Sequence, residues 1–127
     1  MKRCLLDSSF VIDLLNETAD GRAGPAVGWL RRNPIAQVWI SPVTWAEVME
    51  GAIDSGTVRA RLIRYRWQVI GDAQAERVAL RQSRAGQRLG ENDAWQVAVA
   101  ECMDAELVGH DRAFVVLGAR YDDHRRP

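Results

Sequence analysis

The chain has 127 residues, enough for one hydrophobic core rather than two. Apolar residues make up 47% and charged residues 27%, a globular balance that excludes a disordered chain. Seventeen basic residues cancel seventeen acidic ones, so no net positive field announces a nucleic-acid binder and any such role must rest on local patches. Lys2 is the only lysine; all the other bases are arginine, whose planar fork suits phosphate and carboxylate, although GC-rich coding explains the bias more simply. No apolar run approaches the roughly 18–20 residues of a membrane span, and Met1 leads into a short apolar run without the features of a secretory signal. Cys4 and Cys102 are far apart in apolar settings, which predicts two buried free thiols. His110 and His124 have no cysteine at zinc-ligand spacing. The expectation is a reduced, cytoplasmic protein with no membrane partner.

In chain order, residues 3–6 (RCLL) read as a strand and SSFVIDLL as a helix with Ser8 or Ser9 at its N-cap. Residues 16–24 read as a polar connection, and Pro25 opens a helix, PAVGWLRR, that stops before Asn33-Pro34. A second strand falls at 35–40. Ser41-Pro42 is a helix-start signal for VTWAEVMEGAI, and an arginine-rich helix, TVRARLIRYRW, follows. Val69-Ile70 reads as a brief third strand. Residues 72–89 read as a helix with Arg77, Arg81, Arg84 and Arg88 at three- or four-residue spacing. Asn92 caps DAWQVAVAECM, apolar on nearly every side and therefore central. Leu107-Val108 is a strand, Asp111 to Val116 a short helix, Ala119 to Tyr121 an edge strand, and DDHRRP a frayed tail. Short apolar strands alternating with helices predict an α/β protein, a three-layer α/β/α sandwich with a short, mainly parallel central sheet, in a single domain over 1–127.

Four acids occupy positions that matter in such a fold. Asp7 follows the first strand and Asp111 follows the Leu107-Val108 strand, so both face the crevice outside the carboxyl ends of the sheet. Asp93 stands in the first turn of the apolar helix, and Glu47 in the second turn of the Ser41-Pro42 helix, tilted back toward the strand ends. Singly, each has an ordinary structural explanation as a turn former, cap or solvated residue. Together, carboxylates converging at one edge repel one another unless a cation neutralises them. An all-oxygen donor set suits Mg²⁺ or Mn²⁺, ions that activate water and stabilise charge developing on a phosphodiester.

The blocks LLDSSFVIDLL, ISPVTWAEVMEG, ENDAWQVAVAE and LVGHDRAF resemble, in order and spacing, the PIN-domain family, and more narrowly the VapC-type toxin ribonucleases of bacterial toxin–antitoxin pairs. The resemblance runs over nearly the whole chain. It implies a PIN-like fold and a metal-dependent endoribonuclease in which Asp7, Glu47, Asp93 and Asp111 are catalytic and metal-binding acids for Mg²⁺ or Mn²⁺. It also implies an RNA substrate, a cognate antitoxin and a homodimer, with Ser9 as a supporting hydroxyl beside the first acid. The family often carries Thr or Ser two residues before its last acid; here that position is Gly109, which leaves Asp111 with one orienting hydroxyl fewer. The segment after Phe114 is also shorter and more apolar than the family's loop.

Other residues read more plainly. Asp13 is expected to be solvated, Trp39, Trp45 and Trp95 to pack in the core, and Trp29 and Trp67 fit either core or surface. The Arg77-to-Arg88 series reads first as a solvated face, and second as a track for a phosphate backbone. Neither histidine has an orienting partner nearby in sequence. A phosphatase would want a second Asp where Ser9 stands, and a receiver domain a later lysine, so both are disfavoured. The remaining alternative is a PIN-like module that binds RNA or protein without cutting.

Overall fold

The computed structural model describes residues 2–126. Its elements are β1 (Arg3–Leu6), α1 (Ser8–Asp20), α2 (Pro25–Arg32), β2 (Gln37–Ile40), α3 (Pro42–Glu50), α4 (Ser55–Leu62), β3 (Arg66–Trp67), α5 (Asp72–Arg84), α6 (Glu91–Cys102), β4 (Glu106–Gly109), α7 (Ala113–Val116) and β5 (Tyr121–Asp123). The five strands form one sheet in the order β3-β2-β1-β4-β5, and every pairing is parallel. All carboxyl ends therefore share one edge. The chain winds outward from β1 through β2 to β3, then returns past β1 to β4 and β5. That reversal puts the topological switch point between β1 and β4, where α/β sheets form their ligand crevice.

Alternation along the strands divides the core. Cys4 and Leu6 of β1 and Val108 of β4 pack with Phe10, Val11, Trp29 and Val48 from α1, α2 and α3. Leu5 and Leu107 face the opposite way, against Val97, Val99 and Phe114 from α6 and α7. β1 and β4 are buried on both faces, which is why β1 reads as a continuous apolar run. Helix α6 buries residues 94 and 96–100, packing on the sheet and, through Ala94 and Ala98, on Val78 of α5. Its central position follows the expectation from its sequence.

Several local readings change. Helix α1 runs on to Asp20 and ends at Gly21, whose φ of 66° is open to glycine and lets its N–H and that of Arg22 close the last turn. The first half of the polar stretch read as a connection, Asn16 to Asp20, is helical, and Glu17 has a partner there: its carboxylate accepts from the N–H groups of Gly24, Ala26 and Val27 at 2.6, 2.9 and 3.0 Å. It thereby caps α2, whose own N-cap, Gly24, has no side chain. Helix α6 is capped at Gly90 rather than at Asn92, and α5 stops at Arg84. The third strand is Arg66–Trp67, not Val69-Ile70, and the last is Tyr121–Asp123.

The tail is docked instead of frayed. His124 is buried, with Nε2 2.7 Å from Asp13 Oδ2, and Arg125 donates to both oxygens of Asp13 at 2.9 Å. Asp13 is thus a half-buried anchor with a histidine partner, against expectation; Pro127 lies outside the described residues. Trp29 is fully buried, with Nε1 donating to Asp122 Oδ2 at 2.8 Å. Cys4 is a buried free thiol as expected, but Cys102 is exposed at the end of α6. Among the described residues no helix is long and apolar enough to cross a membrane.

Candidate functional site

Asp7 directly follows β1 and is itself the N-cap of α1, so neither Ser8 nor Ser9 holds that place. Its Oδ2 accepts from the Ser9 N–H at 3.3 Å and from the Ser9 hydroxyl at 2.8 Å. The carboxylate is nearly buried and belongs to a backbone fixed on the neighbouring strand by Asp7 N–H to Val108 O, 2.9 Å.

Glu47 reaches the same edge from α3. Ser41 caps that helix with its hydroxyl, and Pro42 occupies the first helical position, as the sequence indicated. Glu47 Oε1 accepts from the Ser8 hydroxyl at 3.2 Å. Asp93 lies in the first turn of α6, on the other side of the sheet edge, where Gly90 offers no capping side chain.

Asp111 follows β4. Its Oδ1 accepts from Ala113 N–H at 2.9 Å, so it opens the turn into α7 and is oriented without a hydroxyl from position 109. Gly109 has a different use. A Cβ there would lie 2.6 Å from Ser9 Oγ and 2.9 Å from Asp7 Cβ. The space a side chain would fill is occupied by the Ser9 hydroxyl, which donates to Asp7 and accepts from His110 N–H at 3.0 Å. One hydroxyl on α1 links the loops that carry the first and last acids.

The electrostatics tie the four acids together. Asp93 is pushed up to about 6 from the ordinary 3.8, first by burial and then by the charges of Asp111, Asp7 and Glu47. Glu47 is raised by burial and by Asp7, with a smaller contribution from Asp111; hydrogen bonds from Ser8 and Asn92 partly offset this. Among the described residues none of the four acids enters a salt bridge. Nor, among the described residues, do three acidic, histidine or cysteine side chains stand close enough to form a ready-made metal cage. The donor chemistry nevertheless suits a hard divalent cation: carboxylate oxygens, no thiol, and negative charge without a salt-bridge partner among the described residues.

The supporting groups were not singled out in the sequence. Thr44 and Gln96 are buried polar residues one turn from Glu47 and Asp93, joined by Gln96 Nε2 to Thr44 Oγ1 at 2.8 Å. Thr44 Oγ1 also donates to the carbonyl of Leu6 at 2.8 Å. A glutamine inside the apolar run WQVAVA was the available signal. The arginine series does not form one face. Arg81 pairs with Glu101 at 2.8 Å and bonds the Leu117 carbonyl, and Arg88, beyond the end of α5, pairs with Glu91.

The profile of the PIN domain matches residues 4–119. No curated protein sequence matches the chain significantly. Among solved structures, a toxin–antitoxin complex from Klebsiella pneumoniae contains a chain with a TM-score of 0.74 and 28% identity, covering 95% of this chain and 97% of that one. FitAcB from Neisseria gonorrhoeae gives a TM-score of 0.74 at 17% identity, over 98% of this chain and 99% of that one. VapBC2 from Rickettsia felis, bound to a DNA fragment from their promoter, gives 0.71 at 16%, over 94% and 97%. With a family profile spanning nearly its whole length, on an all-parallel sheet with acids at its switch point, the chain belongs to the PIN-domain family.

Proposed function

We propose that this chain is a metal-dependent endoribonuclease and acts as the toxin of a type II toxin–antitoxin pair. The observation that carries the reading is the placement of Asp7, Glu47, Asp93 and Asp111 at the carboxyl edge around the switch point, where the charges of the other three raise Asp93 and, among the described residues, none of the four has a salt-bridge partner. Asp7, Glu47, Asp93 and Asp111 would hold Mg²⁺ or Mn²⁺, which supplies Lewis-acid activation of water and neutralises charge on the scissile phosphate. Ser9 fixes the rotamer of Asp7, Ser8 holds Glu47, and the Ala113 N–H orients Asp111. Asp93, whose affinity for protons is raised by burial and by the other three acids, would be relieved by a bound cation.

The Klebsiella pneumoniae complex, at 28% identity over nearly the full chain, supports the toxin role and hence a cognate antitoxin as partner. An RNA substrate, a homodimer and a cytoplasmic location belong to the same proposal. Incubation with mixed single-stranded RNA tests it. Internal cleavage with Mg²⁺ or Mn²⁺ that stops in EDTA and in Asp93→Asn supports the reading. Intact RNA under every metal tried overturns it, and leaves a PIN domain that binds without cutting.

A further inference from the structure

Residues 55–71 hold four arginines, Arg59, Arg61, Arg64 and Arg66, and no acid, in a chain whose charges sum to zero. The rest of the chain is therefore net negative, and positive charge is concentrated on α4 and β3. All four arginines are exposed. Among the described residues none of them enters a salt bridge, whereas Arg81, Arg88, Arg120, Arg125 and Arg126 each have a carboxylate partner. Arg66 rests its guanidinium on Trp39, 5.8 Å from the ring centroid, a contact that steadies it without using its N–H donors.

Next to Arg66 in sequence, and on the opposite face of the sheet, stands Trp67, the last residue of β3 and 43% exposed. An exposed tryptophan alone is ordinary. This one is held edge-to-face by Trp45, with ring centroids 5.5 Å apart and planes at 88°. Trp67 pairs with Ile40 at the end of β2, so it lies on the same carboxyl edge as the acids. Two strand spacings separate it from the end of β1, about 10 Å. A rigid exposed ring at the end of an edge strand, on a segment whose guanidiniums have no carboxylate partner among the described residues, matches a polyanion with stackable bases.

We propose that Trp67, with Arg59, Arg64 and Arg66, binds the single-stranded stretch of RNA next to the scissile phosphate: the base stacks on Trp67 and the arginines hold flanking phosphates. Arg61 lines the groove between α1 and α4 and is not assigned to this surface. The proposal rests on the nuclease reading above, but its test does not use cleavage.

Binding of a labelled single-stranded RNA oligonucleotide is measured in EDTA over a range of salt. Trp67→Ala weakens binding about tenfold or more, and Trp67→Phe keeps most of the affinity. The pair Arg64→Gln with Arg66→Gln flattens the salt slope by about 0.7 per arginine. Arg31→Gln with Arg32→Gln, the same charge change at the end of α2 leading to the opposite edge of the sheet, changes neither. Unchanged affinity and slope in the Trp67 and Arg64/Arg66 variants overturn the proposal. So does loss of antitoxin pairing in those variants with RNA affinity intact, which assigns the surface to a protein. Failure of the wild type to cut RNA that it binds through Trp67 overturns the nuclease reading alone.

Discussion

Gln96 Nε2 donates to Thr44 Oγ1 at 2.8 Å, a bond between α6 and α3 that lies one helical turn from Asp93 and from Glu47. Thr44 in turn donates to the carbonyl of Leu6, the residue before Asp7, and the Ser41 hydroxyl donates to Gln96 Oε1. A buried chain of hydroxyls and an amide thus fixes the backbones that carry three of the four acids. Thr44→Val keeps the shape but leaves the Leu6 carbonyl and the Gln96 amide without this partner. It is expected to cost about 1–3 kcal/mol in urea denaturation. Cleavage should fall about 10- to 100-fold, as for groups that orient ligands without touching the reacting atoms.

Asp93→Asn removes one of four repelling charges. In the folded protein Asp93 binds its proton up to about pH 6, and in the unfolded chain only to about the ordinary 3.8. Between those values the folded state holds more protons, so the metal-free wild type loses stability as pH rises through the window. The variant should melt higher than the metal-free wild type near neutral pH, and the gap should close toward about pH 4. Added Mg²⁺ should stabilise the wild type more than the variant, because a ligand of the folded state shifts its melting. Thermal melts at both pH values, with and without Mg²⁺, check this.

The parts of the fold legible in the sequence are those governed by short-range rules. β1 with its trailing Asp7, the Ser41-Pro42 helix start and the apolar α6 all follow from neighbours in sequence. The parts misread depend on distant partners. Asn16 to Asp20 look like a loop until Glu17 is seen capping α2. His124 looks like tail until it meets Asp13, 111 residues earlier. β3 has two exposed residues and no alternation to betray it. The acids were legible one by one, but Ser9 filling the space above Gly109 needed both strands in place.

That contact gives a sharp steric expectation. Gly109→Ala places a methyl 2.6 Å from Ser9 Oγ and 2.9 Å from Asp7 Cβ, so something must shift. The substitution should destabilise the protein by about 1–3 kcal/mol. Adding Ser9→Gly should recover only part of that, since the Asp7 contact remains. A double-mutant cycle by chemical denaturation measures the coupling.

The docked tail carries its own pH signature. Burial disfavours the charged form of Asp13, but bonds from Arg125 and His124 outweigh it and hold the carboxyl below its ordinary 3.8. A lowered folded value means stability that is fully present above 3.8 and lost as pH falls through the folded value. Asp13→Asn should be less stable than the wild type near neutral pH, with the difference shrinking at strongly acid pH. Urea midpoints at the two extremes test this.

Asp7, Glu47, Asp93 and Asp111 are proposed to form one divalent-cation site. Titration calorimetry with Mn²⁺ tests it most directly, on the wild type and on the variant carrying Asp7→Ala and Asp93→Ala. Saturable binding by the wild type that disappears in the variant is the expected result. No binding by the wild type, or equal binding by both proteins, would contradict the claim.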